Sequence, residues 1–472
     1  MKILFVASEC TPIAKVGGLG DVIGSLPKAL KELGVDVRIF LPKYQIIDFR
    51  KHKFELFAKT IVVRGEKINI YQGLLPESEV PVYLLGNKKY FSENGVYFEK
   101  SAFVGSLKEI ERFLFFSQAI LKIFPVIDWF PDIIHCHDWH TAIVPLLLKT
   151  ESRKLKDKTL LTIHNLANQG KWDGKDILDF LDLKGDEIEG LKIKDKDGSF
   201  NILQQGILNA DLINTVSPTY AKEILTKEYG EGLEESLTKR KKELFGILNG
   251  IDYTFFNPEI DPNLKINYSQ KDLERKIENK IHLQEILNLS KNPQIPLFGF
   301  IGRLTPQKGI DLIIKIIPEL VKINCQLVVL GVGVSDYEKK LLELSQKYPR
   351  NISVQIKFDP ILAQKIYAGA DIFLMPSKFE PCGLGQMIAM RYGTIPIGRE
   401  TGGLANTIED GKTGFLFKKY DAQSFSETIN KIIRLYQDKN GWKKLMKKAM
   451  KKDFSWQKSA KEYSKLYQIL GS

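Results

Sequence analysis

Two cations lie close together in the segment IGRLTPQKG, where Arg303 and Lys308 follow an apolar run that is typical of a strand. Cations at this position can neutralise a bound diphosphate and the negative charge that develops when a nucleotide leaves a sugar. In RETGGLANTI, Thr401, Gly402 and Gly403 open a further predicted helix, whose N-terminus also favours an anion. These residues predict a binding site for a phosphorylated substrate.

The segment MPSKFEPCGLGQMIAMRYG places one carboxylate, that of Glu380, between a predicted strand and a predicted helix. Pro381 and Gly383 define the turn on which Glu380 lies. A carboxylate beside a cationic diphosphate site can accept hydrogen bonds from sugar hydroxyls. Eight residues further on, the chain has Ile388 rather than a second acid, so a hydrolase that uses two carboxylates is poorly supported.

A glycine-rich segment, KVGGLGDV, begins at Lys15 and precedes a predicted helix from about Gly20 to Leu33. A dinucleotide fingerprint needs G-x-G-x-x-G directly after the first strand, and a Walker A loop needs its lysine after the last glycine. Neither pattern fits. The segment predicts either a loop whose bare backbone approaches a ligand, with Lys15 at its mouth, or a turn that merely needs glycine dihedrals.

Half of the six histidines lie in HCHDWHT, at His135, His137 and His140. We expect the first two on one face of a strand end and the third at the start of the next helix. A metal site is an alternative, but no matching carboxylate or thiolate cluster is evident, so we expect a polar wall and no metal. In TIHNLANQG, His164 and Asn165 follow another predicted strand, where a ligand would be met.

The elements that must position these residues are short apolar strands alternating with amphipathic helices, in two series. This alternation predicts an α/β protein with parallel sheets covered on both faces. A stretch rich in Asn, Pro, Gly and Asp separates the series, and we place the hinge near Asn249–Asp261. Ligands of such folds bind at the carboxyl ends of strands, so we expect the site in the cleft between two domains.

The composition is that of a globular protein, with 43% hydrophobic and 27% charged residues in 472. The net charge of +12 comes mainly from lysines along helical faces, so we expect a solvated basic surface and no nucleic-acid partner. Cys10, Cys136, Cys325 and Cys382 form no CxxC pair, which argues against a disulfide framework. No run has the length of a membrane span or a signal peptide, so we expect a cytoplasmic protein without a membrane partner.

The chain resembles the bacterial glycogen synthases and plant starch synthases almost from end to end. The shared segments are KVGGLGDV, GVDVRIFLPKY, HCHDWHT, TIHNLANQG, NTVSPTYAKEI, GILNGID, RLTPQKG, AGADIFLMPSKFEPCGL, RYGTIPI, TGGLANTI and FSW. The resemblance implies the GT-B architecture, in which two Rossmann-like domains face each other across a deep cleft. It implies an acceptor-side domain over residues 1–248, a nucleotide-sugar domain over 249–452, and a helix in 453–472 that crosses back to the first domain.

The resemblance also implies an activity and a set of site residues. The activity is transfer of glucose from ADP-glucose to the non-reducing 4-OH of an α-1,4-glucan, with retention of anomeric configuration and without a cofactor or metal. Arg303 and Lys308 match the pair that stabilises the leaving diphosphate, His164 the histidine beneath the anomeric carbon, and Glu380 the carboxylate that grips the glucose hydroxyls. Further substrate contacts are expected at Lys15, Gly17, Gly18, Asp21, Asp138, Asn165, Asn249, Cys382, Gly383, Leu384, Thr401, Gly402 and Gly403.

Three alternatives stay open at this point. A related GT-B glucosyltransferase that uses UDP-glucose or a small acceptor, of the sucrose or trehalose phosphate type, has the same fold, and Gly385 and Asn406 depart from the residues usual in the family. A non-catalytic glucan-binding protein need not keep Lys15, Arg303 and Glu380. A nucleic-acid-binding protein is supported only by the net charge.

Overall fold

The computed structural model describes residues 1–92, 95–97, 106–150, 158–183 and 199–471. It divides into two compact units. Unit 1 runs from Met1 to Gly250 and includes the C-terminal segment from Trp456, and unit 2 runs from Ile251 to Ser455. Each unit is built on one large, mainly parallel sheet, which confirms the predicted α/β class.

Unit 1 carries most of its strands in a single sheet. The strands are β1 (Lys2–Val6), β2 (Asp36–Pro42), β3 (Glu55–Val63), β4 (Glu66–Leu74), β5 (Pro81–Gly86), β6 (Ile133–His137), β7 (Lys158–Ile163), β8 (Lys171–Trp172), β9 (Phe200–Asn201), β10 (Leu212–Thr215) and β11 (Leu244–Gly246). The sheet order is β11-β10-β7-β6-β1-β2-β5-β4-β3, in which β4 runs antiparallel to β3 and β5 and the other pairs are parallel. β8 and β9 form a separate antiparallel pair.

The helices of unit 1 cover both faces of this sheet. They are α1 (Gly18–Glu32), α2 (Lys88–Phe91), α3 (Leu107–Leu121), α4 (Val144–Thr150), α5 (Gly174–Leu181), α6 (Ile202–Asn209), α7 (Pro218–Glu223) and α8 (Glu234–Lys239). Side chains of β1 alternate between two buried cores: Ile3 and Phe5 enter one, Leu4 and Val6 the other. Burial on both faces explains why the run ILFV, which follows the exposed Lys2, is continuously apolar.

Unit 2 has a fully parallel six-stranded sheet. Its strands are β12 (Leu297–Ile301), β13 (Gln326–Leu330), β14 (Ile352–Gln355), β15 (Ile372–Met375), β16 (Ile395–Arg399) and β17 (Phe415–Phe417), in the order β14-β13-β12-β15-β16-β17. Its helices are α9 (Lys276–Ile286), α10 (Ile310–Lys322), α11 (Ser335–Lys347), α12 (Pro360–Gly369), α13 (Gly385–Arg391), α14 (Gly402–Thr407), α15 (Ala422–Gln437) and α16 (Lys439–Met450).

Each sheet has a point at which the direction of winding reverses. In unit 1 the chain passes from β1 to β2 on one side and later places β6 on the other side of β1. In unit 2 it passes from β12 to β13 and later places β15 on the other side of β12. Such switch points leave a crevice at the carboxyl ends of the two central strands, where ligands of doubly wound folds bind.

The last helix, α17 (Trp456–Gly471), belongs to unit 1 and packs on α1 and β6. Its Trp456, Tyr463 and Tyr467 side chains are buried in the core that also holds Phe5. Among the helices of the described ranges, none combines the length and the apolar character that crossing a membrane requires.

Candidate active site

The glycine segment of unit 1 lies at the switch point, after β1. Lys15 Nζ forms a salt bridge with Asp21 Oδ1 at 2.5 Å, and both side chains are partly exposed. Helix α1 begins at Gly18, two residues earlier than predicted. Its N-cap residue is Gly17, which has no side chain to cap the helix. A Cβ on Gly18 would meet no atom within 4 Å, so this part of the segment borders open space. The structure thus brings Lys15, Gly17, Gly18 and Asp21 together.

A buried carboxylate that the sequence interpretation missed fixes this segment. Glu9 Oε2 accepts hydrogen bonds from the backbone N–H groups of Val16 and Gly17 at 2.7 and 2.6 Å. Tyr97 donates its hydroxyl to Glu9 Oε1 at 2.6 Å. A Cβ on Gly20 would lie 3.2 Å from Glu9 Oε2, which explains one glycine of the segment. The available signal was an acidic residue shortly after the apolar run ILFV.

Asp138 and His164 meet across the ends of β6 and β7. Asp138 Oδ1 accepts a hydrogen bond from the backbone N–H of His164 at 2.7 Å, and the N–H of Asn165 also stabilises its charge. Burial outweighs these bonds and raises the pKa of Asp138 to about 7. Asp138 adopts a left-handed backbone conformation with φ of 53°. Such strain in a non-glycine residue at a strand end is a common feature of functional sites.

His135, His137 and His164 form a cluster in which burial favours the neutral form of each ring. His135 bonds Thr162 Oγ1 at 2.7 Å and the Tyr467 hydroxyl at 2.8 Å, while His137 Nδ1 lies 3.1 Å from His164 Nε2. Burial lowers the pKa of His135 and His137 well below the usual value, and that of His164 to about 3. The cluster is therefore a set of uncharged hydrogen-bonding groups at physiological pH.

One expectation for this segment was wrong. His140 does not begin a helix: it lies in the turn after β6, and α4 begins only at Val144. Its ring stacks on Tyr97, with centroids 5.2 Å apart, and is buried, which lowers its pKa to about 3. Within the described ranges, no group of three or more His, Cys, Asp or Glu side chains is arranged to hold a metal ion.

The predicted anion groups of unit 2 lie at its switch point. Lys308 Nζ is 2.6 Å from Glu380 Oε2, and the Ser377 hydroxyl donates to the same oxygen at 2.9 Å. Arg303 follows β12 directly, is exposed, and donates from Nη2 to Gln307 Oε1 at 3.1 Å. Lys308 and Glu380 come from loops after β12 and β15, the two central strands, so the topology itself brings them together.

Glycines allow the loops of unit 2 to approach one another at backbone distance. A Cβ on Gly309 would lie 2.1 Å from the carbonyl oxygen of Pro376, and its φ is 74°. A Cβ on Gly402 would lie 1.9 Å from the carbonyl oxygen of Glu380. The same carbonyl oxygen accepts a hydrogen bond from the Gly403 N–H at 3.0 Å. Any larger residue at these positions would push the Glu380 loop away from its place.

The remaining predicted residues of unit 2 frame the same loop. Gln386 Nε2 donates to the carbonyl oxygens of Cys382 and Gly383 at 3.1 and 2.8 Å. Leu384 and Thr401 are the N-caps of the short helices α13 and α14. A Cβ on Gly385 would lie 2.9 Å from the Phe373 ring, so glycine there lets α13 start against β15.

Two further residues lie apart from these clusters. Asn249 is buried near the end of the first segment of unit 1, and its Oδ1 accepts no hydrogen bond from the part of the chain that the structure describes. Phe358, which the sequence interpretation missed, follows β14 at the carboxyl edge of the unit 2 sheet. Its exposed fraction is 79%, unusual for a phenylalanine, and it makes an aromatic face available at the ligand-binding edge.

The sequence is similar to known protein families over most of its length. Residues 2–239 match the family described as Starch synthase catalytic domain, and residues 284–449 match Glycosyl transferases group 1. The glycogen synthase of Thermotoga maritima (strain MSB8) is 46% identical over 99% of this chain and 98% of its own length. That of Lactobacillus acidophilus (strain NCFM) is 43% identical over 99% of both chains.

Solved structures give the same result. The catalytic domain of starch synthase IV from Arabidopsis thaliana, bound to ADP and acarbose, superposes with a TM-score of 0.91 at 35% identity over 99% of both chains. Sucrose-phosphate synthase from Thermosynechococcus elongatus superposes with a TM-score of 0.63 at 17% identity, over 99% of this chain and 98% of that one. The second likeness concerns the fold alone.

Proposed function

We propose, since this chain belongs to the family of bacterial glycogen synthases and plant starch synthases, that it extends an α-1,4-glucan from ADP-glucose. Membership of that family makes it a hexosyltransferase. The proposed reaction moves glucose to the non-reducing 4-OH with retention of anomeric configuration, and the proposed donor is ADP-glucose itself, without a cofactor. The observation that carries the proposal is the Lys308–Glu380 pair at the unit 2 switch point. Arg303 lies on the same loop as Lys308, after β12.

Unit 2 supplies charges suited to a nucleotide sugar. We assign Arg303 and Lys308 to the diphosphate, whose negative charge grows as its bond to glucose breaks. Oε2 of Glu380 accepts the hydrogen bonds from Lys308 and Ser377. We therefore assign Oε1 to the glucose hydroxyls. Phe358 offers its exposed ring to the nucleotide base. The backbone of Cys382, Gly383, Leu384 and Thr401–Gly403 completes this proposed donor site.

Unit 1 supplies hydrogen-bonding groups for the sugar. The neutral imidazole of His164 puts no positive charge beside the oxocarbenium-like carbon, whereas an imidazolium there would oppose its formation. Asp138, Asn165 and Asn249 supply acceptors for hydroxyl groups. Lys15, held by Asp21 in this structure, is a further cation that we assign to the donor phosphate or sugar.

The proposed chemistry uses the leaving phosphate as the base. The bond between C1 of glucose and the phosphate oxygen breaks, the acceptor's 4-oxygen bonds to C1 on the same face, and the acceptor proton passes to the phosphate. Such a step needs cations on the phosphate and needs no protein nucleophile, which agrees with the groups found in the two units.

The experiment is chain extension of a maltooligosaccharide primer with labelled ADP-glucose, followed by digestion with β-amylase, which cleaves α-1,4 bonds from the non-reducing end. We expect label in the elongated primer and its release by the digestion. Transfer to fructose 6-phosphate or glucose 6-phosphate without primer labelling would favour the small-acceptor alternative and overturn the proposal.

We further propose that the enzyme acts in the cytoplasm. All four cysteines, Cys10, Cys136, Cys325 and Cys382, are buried and reduced, which suits a reducing compartment.

A further inference from the structure

The proposed sugar-facing histidine is bonded to a second histidine that no step of the reaction uses. His137 ends β6, His164 follows β7, and the two strands are paired in register, with His137 opposite Thr162. His137 Nδ1 and His164 Nε2 are 3.1 Å apart. His137 is fully buried and stacks on Phe5, with ring centroids 5.3 Å apart and an interplanar angle of 25°. The ring of His137 is therefore held rigidly against that of His164.

The bond between the two rings admits two arrangements of the protons. Burial lowers the pKa of both imidazoles, so each ring carries a single proton. Either His137 donates from Nδ1–H to a bare His164 Nε2, or His164 donates from Nε2–H to a bare His137 Nδ1. In the first case His164 has its own proton on Nδ1, and in the second case His164 Nδ1 is an acceptor.

The surroundings of His137 favour the first arrangement. The other ring nitrogen, His137 Nε2, is buried and bonds no group among the described residues. In the second arrangement, His137 Nε2 would carry a buried N–H without an acceptor. In the first arrangement, it has only a lone pair, which lacks a donor. Orphaned buried N–H groups are rarer in proteins than under-satisfied acceptors.

The backbone of His137 is also held in place at the end of β6. Its backbone N–H donates to Thr141 Oγ1 at 2.7 Å, and the Thr141 hydroxyl lies 3.1 Å from its carbonyl oxygen. We propose that His137 is a positioning residue that fixes the tautomer of His164, so that His164 presents an Nδ1–H donor rather than a basic nitrogen. Given the proposed function, that N–H donates to a hydroxyl oxygen of the transferred glucose and His164 is not a general base; the tautomer itself does not depend on the proposed function.

The first test reads the tautomer directly. The chain has six histidines, so a long-range ¹H–¹⁵N correlation spectrum of ¹⁵N-histidine-labelled protein is simple enough to assign. The His164 signals are those that disappear in His164→Asn. We expect a protonated Nδ1 and an unprotonated Nε2 for His164 in the free wild-type protein. A protonated Nε2 would overturn the proposal, whether or not the protein elongates a glucan.

The second test exchanges His137 for two residues of nearly equal size, of which one has an N–H donor and the other has none. The Nδ2–H of an asparagine can replace the Nδ1–H donor, whereas the carboxylate of an aspartate can only accept. We expect His137→Asn to keep the His164 tautomer and kcat within about tenfold of wild type, and His137→Asp to move the proton to Nε2 and lower kcat more than about a hundredfold. KM for the primer is expected to stay unchanged in both.

Thermal unfolding of both variants separates loss of fold from loss of the tautomer. Should His137→Asp fail to fold, the wild-type spectrum still decides the question. Equal kcat in two folded variants, or an unprotonated His164 Nε2 in folded His137→Asp, would overturn the proposal.

Discussion

Lys308 Nζ lies 2.6 Å from Glu380 Oε2, so the cation that we assign to the diphosphate is paired with the carboxylate that we assign to the sugar. Glu380 is buried and its Oε2 also accepts from Ser377. Each charge therefore orients the other before any ligand binds. Such preorganisation reduces the rearrangement needed when the negative charge of the leaving group develops.

Replacement of Lys308 by alanine is expected to lower kcat about a hundred- to thousandfold, the usual cost of losing one charge contact in the transition state. It is also expected to lower Tm, because the buried carboxylate of Glu380 loses its cation. Steady-state kinetics with ADP-glucose and a glycogen primer measure the first effect. Lys315→Ala, at an exposed lysine of α10, is the matched control and should change neither quantity. Near-normal turnover of Lys308→Ala would refute the assigned role.

Arg303→Ala separates the electrostatic effect from stability. Arg303 is exposed and its one described side-chain bond is to Gln307, so we expect an unchanged Tm. The expected loss of kcat is again about a hundred- to thousandfold. Arg350→Ala, at an exposed arginine elsewhere in unit 2, is the control. If Arg303→Ala alters KM for the primer alone, Arg303 does not act on the leaving diphosphate.

Phe358→Ala tests the proposed contact with the base. Stacking of a base on an aromatic ring is worth about 1–3 kcal/mol, so KM for ADP-glucose is expected to rise about five- to 150-fold with little change in kcat. Phe358→Tyr keeps the ring and should keep KM. An alanine variant with the KM of wild type would show that the exposed ring serves another purpose.

The stability of the protein should depend on pH through Asp138. Burial raises its pKa from 3.8 to about 7, so the folded chain keeps a proton that the unfolded chain has lost in this window. The stabilising contribution is complete below pH 3.8 and is lost as pH rises through about 7. Asparagine cannot ionise. The Tm of Asp138→Asn relative to wild type is therefore expected to increase from about pH 5 to about pH 8.

The buried histidines titrate in both proteins, so their effect cancels in the Tm difference between Asp138→Asn and wild type. Thermal unfolding at constant ionic strength measures it. A Tm difference that does not change over this range would contradict the raised pKa.

Gly309 tests whether close backbone approach maintains the ion pair. Gly309→Ala and Gly411→Ala both place an alanine at positive φ, of 74° and 70°, but a Cβ at position 411 meets nothing within 4 Å. We expect Gly411→Ala to cost about 1–2 kcal/mol of backbone strain and to leave kcat unchanged. Gly309→Ala should lower Tm further and reduce kcat, because its Cβ would displace Pro376 and the Glu380 loop. Equal effects of both substitutions on kcat would argue against this role.

Much of the fold, and the positions of several candidate site residues, follow from local signals. Arg303, Lys308 and Glu380 each follow an apolar run and precede a helical pattern, so their place at the carboxyl edge of a parallel sheet could be predicted. The antiparallel placement of β4 could not, because it depends on pairing between strands and not on the composition of any one of them.

The sequence interpretation missed Glu9, Tyr97 and Phe358 for the same reason. Glu9 and Tyr97 are 88 positions apart, and only the folded chain shows that they share a hydrogen bond. Phe358 is an apolar residue of the type usually found in a core. Its exposure depends on where β14 ends at the edge of the sheet. The apolar pattern after His140 favours a helix that begins there, but the turn after β6 extends to Ile143.

The most direct test of the proposed function compares two donors on one purified preparation. Incorporation of labelled glucose into a glycogen primer is measured with ADP-glucose and with UDP-glucose, and kcat/KM is determined for each. We expect efficient labelling with a strong preference for ADP-glucose, lost in Lys308→Ala and kept in Lys315→Ala. A preference for UDP-glucose would contradict the proposed donor, and absence of glucan labelling from either donor would contradict the proposed reaction.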